Sequence, residues 1–136
     1  MNNSETAQTE VHLRIGKAWI ENDGIVRIEF GPSSEHHIED GHEVVEAHDR
    51  LADAAGVDKV PVLADIRKAK VGADAQTRAY YSTQGAAARK SAMAMLTSSA
   101  AQRMLGNFFF RVNSPPYPAK MFSDQDKALR WLGQFL

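Results

Sequence analysis

At 136 residues the chain is long enough to bury one substantial core, and its 43% hydrophobic content is that of a globular protein. A formal net charge of -1, with acids and bases intermixed, gives no electrostatic footprint for nucleic acid or an anionic membrane surface. The absence of cysteine excludes disulfides, thiolate metal sites, iron–sulfur clusters and thiol nucleophiles.

Residues 1–9 are small and polar and are expected to be a disordered tail, with neither the basic nor the apolar part of a secretory signal. Residues 10–136 are expected to fold as a single domain. No stretch reaches the roughly 20 apolar residues of a membrane span, so a cytoplasmic location is expected. From Val11 to Ile20 apolar side chains alternate, with a slip at Gly16 that reads as a bulge or a break in register. The turn Glu21-Asn22-Asp23-Gly24 then leads into Ile25, Val26, Ile28 and Phe30, which predicts a β-hairpin. Gly31-Pro32-Ser33-Ser34 ends it.

Residues 36–56 carry Ile38, Val44, Val45, Leu51, Ala52 and Ala55 at helical spacing, with Glu39 and Asp40 in the first turn and Gly56 as C-cap. Val60, Val62, Leu63 and Ile66 form a short apolar strand. Asp74 suits the N-cap of a helix running through Tyr80 and Tyr81 into the alanine-rich residues 86–88. Met93, Met95 and Leu96 lie in another strand. Ser99 and Gln102 form a capping box, which opens a helix with Ala101, Met104, Leu105, Phe108 and Val112 on one face. The proline-rich residues 113–118 must be extended. Residues 119–122 make a last strand, and Ser123 caps a final helix bearing Ala128, Trp131, Leu132 and Phe135. The predicted order is β-β-α-β-α-β-α-β-α, an α/β fold with a partly parallel mixed sheet.

That order, with VLADI running into a loop and a helix, resembles the STAS domain of anti-sigma factor antagonists and SpoIIAA-like proteins. The stretches WIENDGIVRIEF, PVLADIRK, LGNFFFRVNSPPYPAKMF and ALRWLGQFL resemble one uncharacterised SpoIIAA-like bacterial group more closely. The resemblance implies the fold and a regulatory role through protein contact. Signalling members of the family carry a phosphorylatable Ser at the start of the helix after the central strand. Here the matching stretch is VGADAQTR, with Asp74 at the cap and no Ser, so a phosphorylation switch is not expected.

His36, His37, His42 and His48 crowd the first helix beside several acids, but the spacing is wrong for HExxH, and a solvated polar face accounts for them without a metal. No GxSxG elbow, GxGxxG loop or phosphate loop occurs, and the acids fall mostly on predicted exposed helix faces. No catalytic residue, metal or cofactor is therefore expected. Arg67, Lys68, Lys70 and Arg78 make the loop after the central strand basic. Phe108, Phe109 and Phe110 cannot all face one side of a helix. The expected interaction surface comprises Arg67, Lys68, Lys70, Asp74, Arg78, Arg103, Phe109 and Phe110. Its expected partner is an unidentified protein or a second copy of the chain, with no nucleic acid and no membrane span. The alternative is binding of a small apolar or anionic ligand, which requires a cavity of a few hundred Å³.

Overall fold

The computed structural model describes residues 10–33 and 35–136, the side chain of Phe109 excepted. The expected tail at 1–9, and Ser34 at the end of the hairpin, lie outside the described residues. Six strands form one sheet in sequential order: β1 Glu10–Leu13, β2 Gly16–Ile20, β3 Val26–Phe30, β4 Val60–Asp65, β5 Lys90–Leu96 and β6 Ala119–Phe122. The first three pair antiparallel and the rest parallel. The helices are α1 Ile38–Ala55, α2 Ala75–Tyr81, α3 Gln84–Ala87, α4 Ala100–Val112 and α5 Gln125–Leu132, with a 3-10 turn at Gly133–Phe135. This is the expected mixed α/β fold, with one strand more at its start. The single helix expected from Asp74 to residues 86–88 is divided into α2 and α3, because Thr83 caps a new helix by accepting from the Ala86 backbone.

The extra strand explains the slip at Gly16. Arg14 and Ile15 form a two-residue connection, so that Leu13 pairs with Gly16 and the first hairpin is β1–β2. Gly16 also lies opposite Phe30 on β3, where a Cβ would fall on the Glu29 carbonyl. Only glycine lets the three strands close at this point.

The sheet carries a core on each face. On one, Ile28, Val60 and Val62 meet Val44, Ala47, Leu51 and Ala52 of α1. On the other, Leu63, Ala92, Ala94 and Leu96 meet Ala128 and Leu132 of α5. Alternate residues of β4 serve opposite cores, because successive strand side chains point to opposite faces. This two-sided cover is why the strand reads as a continuous apolar run.

Polar contacts latch the hairpin and α2 onto the start of α1. From the β1–β2 connection, Arg14 donates two hydrogen bonds of 2.6 Å to the carboxylate of Asp40. Asp40 also accepts from the His37 backbone, and its side chain is 4% exposed. This is a departure from the expected solvated acid at the helix start. Gly41 lets α2 approach, since a Cβ there would lie 3.0 Å from Thr77 Cγ2.

Gly16→Ala is expected to lower stability by about 1–3 kcal/mol, as overpacking against backbone does. Urea unfolding of the two proteins checks it; equal midpoints would refute the close approach.

Candidate functional site

Between the α1 face of the sheet and the helices α1, α2 and α4 lies a cavity of about 470 Å³. Its walls are apolar: Ile28, Val62, Ala64, Met93 and Met95 from the sheet and Val44 from α1. The mouth is marked by lining residues that also meet solvent. These are Val71 in the loop after β4 and Leu105 and Phe108 on α4.

The space exists because α4 does not seal the sheet. Its N-terminus is held: Ser99 Oγ accepts from the Gln102 backbone, and Gln102 Nε2 donates to the Ile66 carbonyl at 2.9 Å. Further along, Gly106 passes over Met121 and Met95, whose sulfurs would lie 2.5 and 3.2 Å from a Cβ. The apolar stripe then turns outward. Met104 is 72% exposed, and Leu105, Phe108 and Val112 are exposed as well. Periodicity located the stripe, and the fold turns most of it to solvent.

The floor is polar at one end. His48 is 2% exposed, and neither ring nitrogen has a hydrogen-bond partner. Burial, with the nearby Lys90 charge, holds its imidazole well below the usual protonation range. Lys90 is 3% exposed; its Nζ donates to the Ala86 carbonyl at 3.1 Å, and burial pushes the ammonium down to about 8. The register between β4 and β5 shifts at Val60–Pro61, so Val60 pairs with Lys90 while Pro61 already pairs with Ala92. Ser91 is the extra residue. The bulge turns Lys90 to the face of Val60, Met93 and Met95, and away from that of Ala92 and Ala94.

The expectation of a solvated histidine face therefore fails at His48. Val44 and Leu51 lie four residues before it and three after it, so helical spacing alone places it on the buried stripe. His36 is half-buried with Nε2 2.6 Å from the Tyr81 hydroxyl. His37 Nδ1 lies 2.9 Å from Asp74 with the ring still exposed, and His42 is exposed and edge-on to Tyr80. Among the described residues no group of three His, Asp or Glu side chains converges as a metal site needs.

The family model for a domain of unknown function, DUF7793, matches residues 18–136. The chain belongs to the DUF7793 family. Among solved structures, it is similar to an uncharacterized protein of the DUF3478 family from Shewanella loihica PV-4, which has a SpoIIAA-like fold. That match has a TM-score of 0.57 and 17% identity, and covers 85% of this chain and 89% of the other. The DUF7793 chain thus has a SpoIIAA-like fold. A protein of unknown function from Arthrobacter sp. FB24 is 28% identical over 85% of this chain and 96% of its own, with a TM-score of 0.30. No curated protein matches the sequence.

The residues singled out from the sequence of this DUF7793 domain are divided by the fold. Arg67, in the loop after β4, forks onto Asp65 at the end of that strand, and Lys68 approaches Glu29 at 3.8 Å. Lys70 and Arg78 line the cavity, and the Arg78 guanidinium stacks 5.9 Å from the Phe108 ring centre. Asp74 caps α2, accepting from the Thr77 backbone and hydroxyl, and His37 holds its carboxyl well below the usual range. Thr77 is fully buried. Arg103 is exposed on α4 and Phe110 half-buried, while the Phe109 side chain lies outside the described residues. Neither His48 nor Lys90 was among these residues. Spacing could have revealed the first; nothing in the sequence announces the bulge that directs the second.

His48 makes stability depend on pH. Its folded pKa lies below the ordinary 6.5, so the unfolded chain takes up a proton first as pH falls through 6.5. Stability is intact above that value and lost below it. Replacing His48 with Leu is expected to remove a slope of up to about 1.4 kcal/mol per pH unit just below pH ~6.5. Urea melts across that range test this, and identical slopes in the two proteins would refute it.

Proposed function

We propose that this chain is a binding module for a small, largely apolar molecule, a carrier or sensor without catalytic activity of its own. The observation that carries the reading is the cavity of about 470 Å³ with its Val, Ile, Ala and Met walls. Its volume falls in the usual range for small-molecule sites, about 300–1,000 Å³. The serine hydroxyls that reach it are engaged locally: Ser33 donates to the Glu35 carbonyl, and Ser99 caps α4. The mouth between α4 and the loop after β4 supplies an entrance.

A neutral fluorescent probe, N-phenyl-1-naphthylamine, is expected to bind saturably with rising emission. Ala64→Phe, which fills the cavity from β4, should weaken that binding at least about tenfold while circular dichroism stays unchanged. Absence of saturable binding, or undiminished binding by the filled variant, would remove the reading.

Regulation through contact with a protein partner is the second reading. It is supported by the outward stripe of Met104, Leu105, Phe108 and Val112, because exposed apolar clusters favour association. Light scattering over a range of concentrations tests self-association through α4, and Met104→Lys with Leu105→Lys should abolish any dimer it reveals.

A further inference from the structure

Resting on the binding reading above, we infer that the ligand of the cavity is a monocarboxylic acid with an apolar body, its carboxylate seated between Lys90 and His48 at the closed end.

Charge balance at the floor leads there. Lys90 is buried, and the ion pairs of the described residues do not include it. Asp49 is the sole acid whose field favours its charge, and the Ala86 carbonyl satisfies one of its three donors. A buried ammonium costs several kcal/mol unless an anion accompanies it. One carboxylate supplies that charge at this end of the cavity.

His48 adds the second donor. Its imidazole is neutral, so one nitrogen carries a hydrogen to give, yet both nitrogens are buried without partners. A carboxylate has two oxygens, one for each of these donors. Beyond the two groups the walls are Val62, Ala64, Met93 and Met95, which suit a hydrocarbon chain or an aromatic ring. The placement of Lys90 is a feature of the backbone. A regular strand would have turned it toward α5, and the insertion of Ser91 points it into the cavity.

Displacement of N-phenyl-1-naphthylamine by decanoate and by 1-decanol at pH 7 tests the inference. These two probes share a chain and differ in the headgroup. Decanoate is expected to bind at least about tenfold more tightly than the alcohol. Lys90→Met should bring the two to parity, and His48→Leu should reduce the preference in part. The ratio measured on the unaltered protein decides the matter even where a variant folds poorly. Equal displacement by acid and alcohol overturns the headgroup assignment and leaves the cavity reading standing. A protein that binds the dye but prefers the alcohol does the same. No binding of dye, acid or alcohol overturns both.

Discussion

Both faces of β4 are covered, and every residue of that strand must fit between two cores. Val60 and Val62 face α1, Leu63 faces α5, and β5 must match this alternation along its whole length. The match is not uniform. A one-residue shift at Val60–Pro61 lets Lys90 share a face with Met93 and Met95, which a regular ladder forbids. Burial of the strand and the chemistry of the cavity floor thus come from one pairing. The energetic cost is borne by Lys90, whose desolvation an apolar residue at that position would avoid.

The helices around the cavity are held with unequal strength. At α1 and α2 the Arg14–Asp40 fork, the His37–Asp74 contact and the close approach at Gly41 tie three segments together. By contrast, α4 has the Gln102 bonds at its start and a sliding contact at Gly106, with most of its apolar stripe turned to solvent. Elements with few buried apolar contacts open at lower free energy than the core. The wall least able to resist displacement is therefore the one beside the mouth.

Residues 66–74 are read differently once the fold is known. The STAS resemblance drew attention to Asp74 as the position of an absent modifiable Ser. In the structure that carboxylate is fully engaged, by the Thr77 amide and hydroxyl and by His37. Thr77 is enclosed, and its hydroxyl is spent on the same carboxylate. The loop itself forms part of the cavity rim, through Lys70 and Val71.

Local pattern was enough to determine the element types, the mixed sheet, the caps at Asp74 and Ser99 and the C-cap at Gly56, because each depends on residues within a few positions of one another. Spacing also held the burial of His48, visible in its place between Val44 and Leu51. Tertiary structure alone decided the rest. The outward turn of α4 depends on where a helix rests against a sheet, and the aim of Lys90 depends on pairing with a strand some thirty residues away. Neither is encoded in the period of a segment. A strand's own alternation assigns side chains to two faces, and which face meets the cavity is set by its neighbour's register.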